Sequence, residues 1–290
     1  MVPLRLLPAL PGSTSDADDG PQVHVVVGAS SGIGRATALE LASGGHHLVL
    51  LARREEKTAE VAEECEERGA ASATPIVCDV SVEDDGGDAV QATLEQHGRI
   101  DAVLHCAGVV TYGRVEDGDA DDAEDVVRTN LLGAMTVARH VVPVLREQER
   151  GTLVLVGSLL GQIAVPDMTP YVVSKWGVRA LARQLRIENL DVPGVRIVHV
   201  SPGSVDTDIY GSALDSAGMV NTAPPPTIQP EDAARTIVRS IHGRRFEVQT
   251  SLVNYALIAG FTLTPRLWDR LVGPAFRFAS RRGAEREDRD

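Results

Sequence analysis

A chain of 290 residues with 43% apolar and 24% charged residues is long enough for one large α/β domain and has the composition of a globular protein. Its 41 acidic residues outnumber its 28 lysines and arginines, and the resulting charge of −13 argues against nucleic acid as a partner, because such a surface repels phosphate backbones. Cys65, Cys78 and Cys106 form no C-x-x-C pair, which excludes a disulfide framework and a zinc site and fits a reducing cytoplasm.

Residues 1–22 contain a short apolar stretch that three prolines interrupt, followed by a polar and acidic half. A secretory signal needs an unbroken apolar region after a basic start, and this segment has neither. The sequence therefore predicts a disordered leader over 1–22. The stretch nearest to a membrane span is 248–265, which is uncharged but carries several polar residues, so it is typical of a packed or interfacial helix.

The first predicted strand, 23–27, is a β-branched run that leads into a glycine-rich turn and then into a predicted helix over 35–43. Glycines let the backbone approach a ligand, and the free N–H groups of a first helical turn point at an anion. The sequence therefore predicts a pyrophosphate site, with a tight turn that binds nothing as the alternative. The turn residues are Gly28, Ala29, Ser30, Ser31, Gly32, Ile33 and Gly34.

The second predicted strand, 47–51, is followed by Ala52 and Arg53. In dinucleotide-binding folds an acidic residue at this place bonds the ribose 2′-hydroxyl, whereas an arginine accommodates a 2′-phosphate. The acid is missing here, so we expect NADP(H) rather than NAD(H). A solvated Arg53 that opens the next helix is the alternative.

Helical and strand patterns continue to alternate along the chain. This rhythm predicts an α/β fold of the Rossmann type, a doubly wound parallel sheet of about seven strands in a single domain over 23–250. The predicted helices are 55–68, 83–97, 130–145, 171–189 and 230–241, and the predicted strands are 75–78, 101–104, 152–156, 195–200 and 246–250.

Three segments interrupt or follow this pattern. The stretch 208–230 is rich in Gly, Ser, Thr and Pro, which is typical of a lid over a site or of a disordered loop. Residues 251–280 predict an apolar C-terminal helical extension. Residues 281–290 are of mixed charge, and we expect a disordered tail there.

Tyr171 and Lys175 stand four residues apart at the start of a predicted helix, a spacing that places both side chains on one face. An ammonium beside a phenol favours the phenolate, which lowers the phenol pKa from about 10 and makes it usable for proton transfer near neutral pH. Taken alone, the pair is also compatible with a half-buried tyrosine beside a solvated lysine.

Taken with the glycine-rich turn, these residues resemble the motifs of the classical short-chain dehydrogenases/reductases. The matching features are Asn130, Ser158, the Tyr171 and Lys175 pair, and the dipeptide Pro202-Gly203, in the order and spacing of that family. Ser158 stands 13 residues before the tyrosine, as is usual there. The resemblance covers about 23–250.

The resemblance implies an NADP(H)-dependent oxidoreductase that interconverts an alcohol and a ketone or aldehyde. Tyr171 would exchange a proton with the substrate oxygen, and Lys175 would lower the tyrosine pKa and bind the nicotinamide ribose. Ser158 would hold the substrate oxygen, and Asn130 would position a water that links the lysine to solvent. Further cofactor contacts are implied for Asp79, Val80, Ala107, Gly108, Pro202, Gly203, Val205 and Thr207.

The sequence departs from the family pattern at two places. Val27 replaces the usual threonine before the first glycine, and His105-Cys106 replaces an Asn-Asn pair, which affects fine cofactor positioning but not the proton relay. We expect His105 to be a hydrogen-bonded structural residue rather than a second acid or base, and Cys106 to be packed rather than reactive.

The apolar tail and the predicted lid suggest a hydrophobic substrate, with a tail that covers the core or forms a subunit interface as the alternative. The resemblance further implies a homodimer or homotetramer, and the cysteine usage predicts a location in the cytoplasm. A non-catalytic NADP(H)-binding sensor or scaffold is the alternative, although the complete Asn, Ser, Tyr and Lys set argues against it. Peripheral membrane contact through 251–278 is a further expectation that depends on arginines facing the headgroups, namely Arg266, Arg270, Arg277, Arg281 and Arg282.

Overall fold

A seven-stranded parallel sheet forms the centre of the protein in a computed structural model that describes residues 20–207, 209, 214–215 and 223–287. The strand order is β7-β6-β5-β4-β1-β2-β3, and every pairing between neighbours is parallel. The predicted Rossmann-type α/β fold is therefore confirmed. The strands are β1 (Val23–Val27), β2 (His47–Ala52), β3 (Ser72–Val77), β4 (Ala102–His105), β5 (Gly151–Val156), β6 (Val195–Ser201) and β7 (Glu247–Gln249).

Helices cover both faces of this sheet. On one face, α3, α5 and α6 bury their apolar residues, and on the other α1, α2 and α7 do so. Strands buried on both faces read as continuous apolar runs, which is why β1 and β2 show no alternation in the sequence. The helices are α1 (Gly32–Ala42), α2 (Glu55–Glu67), α3 (Glu83–His97), α4 (Ala120–Val127), α5 (Gly133–Glu147), α6 (Thr169–Glu188), α7 (Pro230–Ser240), α8 (Leu252–Leu263) and α9 (Pro265–Glu287).

The predicted helix through Asn130 has a different local structure. A π-helical turn, Arg128–Leu132, joins α4 to α5. Such a turn fits an extra residue into the helix and re-aims its side chains, and here Asn130 lies in it and is buried. Residue periodicity cannot show this local widening, because the apolar face continues on both sides.

The C-terminal segment forms two helices, α8 and α9. The second extends through Glu287, so the prediction of a disordered tail is wrong for residues 281–287. Alanine, arginine and glutamate are strong helix formers and propagate the helix beyond its apolar part. Residues 288–290, the leader residues 1–19, and residues 208, 210–213 and 216–222 of the predicted lid lie outside the described structure.

The order of the strands determines where a ligand can bind. Successive strands are added to one side of β1 up to β3 and to its other side from β4 onwards, and ligands of such folds bind in the crevice beyond the carboxyl ends of the strands at this switch point. The turns after β1, β4 and β5 all lie at this edge.

None of the helices in the described part of the chain has the length and apolarity needed to cross a bilayer.

Candidate active site

The turn between β1 and α1 is built so that backbone lines the crevice. Gly28 has a φ of +81°, and a Cβ atom there would lie 2.7 Å from the backbone of Ala107. A Cβ on Gly34 would lie 2.0 Å from the carbonyl oxygen of Gly28. Ser31 is the N-cap of α1, but its side chain makes no capping bond, so the first N–H groups of the helix are left for another acceptor.

A cavity of about 660 Å³ lies over this turn. Every residue predicted to contact the cofactor lines it, except Asn130 and Lys175. Those two lie directly behind Gly108, where a Cβ atom would be 3.2 Å from Asn130 Oδ1 and 3.3 Å from Lys175 Nζ. The volume of the cavity, the glycine backbone that lines it and the uncapped N-terminus of α1 fit a dinucleotide whose pyrophosphate lies at α1.

Two further cations at the edge of this cavity were missed by the sequence reasoning. Arg54, the N-cap of α2, donates to Ser30 Oγ at 2.9 Å and to Ser31 Oγ at 2.6 Å. Lys57, one turn further on, lines the same cavity. Arg53, the predicted cation, is 61% exposed, and its Nη1 lies 3.8 Å from Asp79 Oδ2. The run Arg53-Arg54 was visible in the sequence, but not which of the two faces the turn.

Tyr171 and Lys175 lie in the first two turns of α6, as their spacing predicts. Lys175 Nζ lies 5.7 Å from the centre of the Tyr171 ring. The lysine is buried, and this burial lowers its pKa to about 8, although the neighbouring Cys106 acts in the opposite direction. Its ammonium lies 3.4 Å from the carbonyl oxygen of Val156. A cation is thus held next to the phenol without full hydration.

Ser158 lies two residues after the end of β5, on the same side of the cavity as Tyr171. It is buried, and its Oγ accepts a hydrogen bond from the N–H of Leu160 at 3.1 Å. Ser158 and Tyr171 both line the dinucleotide-sized cavity and also a second cavity beside it. These two hydroxyl groups therefore stand where the two cavities meet.

Asn130 is held by three hydrogen bonds. Its Oδ1 accepts from the N–H of Val109 at 2.8 Å, while its Nδ2 donates to the carbonyl of Val109 at 2.9 Å and to Ser174 Oγ at 3.0 Å. Ser174 is fully buried and was not singled out from the sequence. Its position between Tyr171 and Lys175 on the same helix turn was the available signal.

The second cavity has a volume of about 490 Å³ and a mainly apolar lining. Its walls come from Val110 and Tyr112, from the loop that precedes α6, and from α8 and α9. The C-terminal helices are attached to that loop, because Trp268 Nε1 donates to the carbonyl oxygen of Ala164 at 3.0 Å. The rings of Trp176, Phe261 and Trp268 pack edge to face, with centroids 6.2 and 5.6 Å apart. The C-terminal segment thus encloses the site.

His105 is buried at the end of β4, but it differs from the expectation of a hydrogen-bonded residue. Within the described structure neither of its ring nitrogens has a hydrogen-bond partner. Burial, and then the neighbouring Lys175, lower its pKa to about 3, so the ring is neutral. Its partners on the neighbouring strands, Val27 and Leu155, are apolar and offer no side-chain hydrogen bond to the ring. For Cys106, burial raises the thiol pKa to about 12, which matches a packed rather than a reactive side chain.

A polar network supports the sheet beneath Ser158. A Cβ atom on Gly157 would lie 2.2 Å from Nε2 of the buried His199. The other ring nitrogen, Nδ1, lies 3.4 Å from Glu247 Oε1, and Arg179 of α6 donates to the same carboxylate at 2.7 Å. Burial alone would raise the pKa of Glu247, but the bonds from His199 and Arg179 lower it to about 2.

In the described residues no group of three or more His, Cys, Asp or Glu side chains could hold a metal ion.

A family model and the related proteins place the chain in the same family. The family model described as "short chain dehydrogenase" matches residues 22–218. The chain is 32% identical over 246 residues to "11-beta-hydroxysteroid dehydrogenase A" of Sesamum indicum, which covers 81% of this chain and 70% of that protein.

Solved structures show the same similarity. An alcohol dehydrogenase from the archaeon Thermococcus sibiricus, complexed with 5-hydroxy-NADP, matches with a TM-score of 0.70 and 28% identity over 79% of this chain and 96% of its own. A short chain dehydrogenase/reductase from Burkholderia phymatum, in complex with NAD, shares the fold, with a TM-score of 0.76 and 24% identity over 85% of this chain and 95% of its own. The chain therefore belongs to the short chain dehydrogenase family, whose members are oxidoreductases that bind a nicotinamide cofactor.

Proposed function

We propose that this protein is an NADP(H)-dependent oxidoreductase that interconverts a bulky apolar alcohol and the corresponding ketone or aldehyde. The observation that carries the proposal is the position of Ser158 and Tyr171. Both hydroxyl groups line a dinucleotide-sized cavity on one side and an apolar cavity on the other. A substrate oxygen at this junction would meet two hydroxyl donors while its apolar part lies against α8 and α9.

The proposed proton transfer uses residues of α6. When bound, the nicotinamide supplies the hydride in reduction and accepts it in oxidation. Tyr171 gives its hydroxyl proton to the substrate oxygen during reduction and takes it back during oxidation. The ammonium of Lys175, 5.7 Å from the ring centre, favours the phenolate that remains after the transfer.

Ser158 and Asn130 have supporting roles in this proposal. Ser158 holds the substrate oxygen and stabilises the negative charge that develops there. The protein bonds of Asn130 fix the amide against Gly108, beside Lys175, where its remaining acceptor capacity suits a water that passes protons to solvent.

The preference for NADP(H) is supported by the cations at the far end of the larger cavity. Arg54 reaches across the glycine-rich turn to Ser30 and Ser31, and Lys57 lines the same place. Ala52 leaves this place without the carboxylate that would repel a 2′-phosphate. The related structures contain either type of dinucleotide, so the argument rests on the residues of this chain.

The apolar substrate is supported by the second cavity. Its volume of about 490 Å³ suits a ligand the size of a drug molecule or a sterol. The relative from Sesamum indicum is named for a hydroxysteroid, which is consistent with a bulky apolar alcohol. A small polar alcohol would leave most of this mainly apolar wall without a contact.

The test is a screen of NADPH oxidation against carbonyl compounds of increasing size, from short aldehydes to aromatic and steroid ketones, with the Tyr171→Phe variant measured in parallel. We expect turnover with bulky apolar ketones, loss of turnover in the variant, and NADPH binding equal to that of the wild type in fluorescence titration. Retained turnover in Tyr171→Phe would contradict the mechanism. Tight NADPH binding without turnover of any compound would instead favour a cofactor sensor.

A further inference from the structure

The outward face of α8 is apolar and exposed. The helix has 12 residues and none of them is charged, in a chain in which 24% of residues are. Leu252 is 85% exposed and Leu263 is 78% exposed, and the ring of Tyr255 lies between them on the surface. Soluble proteins seldom expose contiguous apolar patches of this kind without a partner.

This patch continues into the apolar cavity. Val253, Leu267 and Leu271 line the cavity of about 490 Å³, and yet each remains between 42% and 56% exposed. They therefore form its mouth. A ligand on the outer surface of α8 would meet these three apolar side chains on its way into the cavity.

The charge beside the mouth is opposite to that of the rest of the protein. Residues 251–287 contain six arginines and three acidic residues, whereas the whole chain has 28 basic and 41 acidic residues. Arg266 and Arg270 are exposed and lie one helical turn apart, in the row next to Leu267 and Leu271. Apolar and cationic rows thus run side by side along the start of α9.

We propose that α8 and the first turns of α9 dock on an anionic lipid surface, with the mouth of the cavity facing the lipid. The docking face consists of Leu252, Tyr255, Leu263, Leu267 and Leu271 together with Arg266 and Arg270. An uncharged helix with flanking arginines lies in the boundary between headgroups and acyl chains, and each arginine near such a surface contributes about fivefold in affinity.

A second copy of the chain fits this face less well. In a two-fold symmetric dimer the same patch faces itself, so the two copies of residues 251–271 would bring four arginines and two aspartates, a net positive charge, into one interface. Like charges held close together oppose such an interface. Anionic headgroups provide the complementary charge, and the acyl layer provides the apolar environment.

Docking on lipid does not depend on the catalytic chemistry. The delivery of a substrate from the lipid through the mouth of the apolar cavity does rest on the proposed function. The experiment is vesicle flotation of the full chain with phosphatidylcholine alone and with phosphatidylcholine containing phosphatidylglycerol. We expect flotation with the anionic vesicles and a loss of flotation at high salt. Flotation requires no turnover, so its outcome is separate from that of the carbonyl screen.

Two double variants and two matched controls test the docking face. Leu252→Ser with Leu263→Ser, and Arg266→Glu with Arg270→Glu, should each lower vesicle affinity by about tenfold or more. Val115→Ser with Leu190→Ser, and Arg244→Glu with Arg245→Glu, make the same kinds of change at exposed residues elsewhere, and these variants should float as the wild type does.

Folding is checked by thermal unfolding and by turnover of a water-soluble ketone, since Leu252 and Leu263 do not line the cavity. Wild-type protein that stays with the soluble fraction in both vesicle types would overturn the proposal. An equal loss of flotation in the controls would also overturn it. So would a solution dimer that the Leu252→Ser and Leu263→Ser variant converts to a monomer, because the face would then belong to a second copy.

Discussion

Asn130 donates a hydrogen bond at 3.0 Å to the hydroxyl of Ser174, which itself donates to the carbonyl oxygen of Tyr171 at 2.7 Å. These two bonds join the π-helical turn to the first turn of α6. They also fix which end of the Asn130 amide faces Gly108. Ser174 is therefore a positioning residue in the proposed proton relay.

Replacing Ser174 with alanine should lower kcat by about tenfold while leaving KM and NADPH affinity near their wild-type values. The change leaves a buried amide N–H with one acceptor fewer, so the asparagine loses its fixed orientation. Steady-state kinetics across pH would measure the effect. Ser240→Ala is the control, since Ser240 is also buried and donates to the carbonyl of Ile237 away from the site. Equal kinetic losses in both variants would show that only stability had changed.

Arg54→Gln should raise the KM for NADPH by about tenfold and change the KM for NADH little, because a charge-assisted bond to a phosphate is worth about 1.5–3 kcal/mol. Arg53→Asp should shift the preference towards NADH by placing a carboxylate beside the same site. Arg68→Gln, at the exposed other end of α2, is the control. If the ratio of the two KM values stays constant in Arg54→Gln, these cations do not contact a 2′-phosphate.

Lys175→Met should abolish turnover and yet stabilise the cofactor-free protein near pH 7. Burial lowers the pKa of Lys175 to about 8 from its usual value of 10.5, so keeping it charged below pH 8 costs on the order of 3 kcal/mol. Between these two pKa values the unfolded chain binds more protons than the folded one, and stability rises with pH until the penalty is gone. Urea unfolding should therefore show that the variant's gain in the free energy of unfolding over the wild type is smaller near pH 10 than near pH 7. An advantage that is the same at both pH values would contradict this account.

Gly157→Ala should destabilise the protein by about 1–3 kcal/mol, because the new methyl group would displace the ring of His199 from a packed interior. Adding His199→Ala should recover part of that loss in a double-mutant cycle. Gly243→Ala is the control, since a Cβ atom there would have its nearest neighbour at an ordinary 3.5 Å. Additive losses in the cycle would mean that the histidine does not respond to the methyl group.

Most of the architecture was readable from the sequence. Apolar runs such as Val23–Val27 and the regular alternation of strands and helices predict a parallel sheet, and the glycines after β1 predict the turn at its edge. Tyr171 and Lys175 share a helix face, as their spacing predicts, and the roles proposed for them and for Ser158 come from the resemblance to the family. These signals involve residues that are close together in the chain, so a single sequence is enough to show them.

The remaining features depend on contacts that the sequence does not show. Arg54 donates to the serines of the turn, whereas Arg53 lies near Asp79, and two adjacent arginines in a sequence do not show which of them makes which contact. The bond from Trp268 to Ala164 joins residues 104 positions apart. His105 was expected to be satisfied, and only its packed surroundings show that it has no partner within the described structure.

The wall that α8 and α9 add to the apolar cavity has a consequence for how this protein could change. The family model ends at residue 218, before either helix begins, while the proposed proton-transfer residues all lie before that point. The proposed reaction chemistry therefore lies within the family segment, whereas part of the wall around the proposed substrate lies beyond it. Exchange of the C-terminal helices between relatives would alter which molecule is accepted while the hydride and proton steps stay as they are.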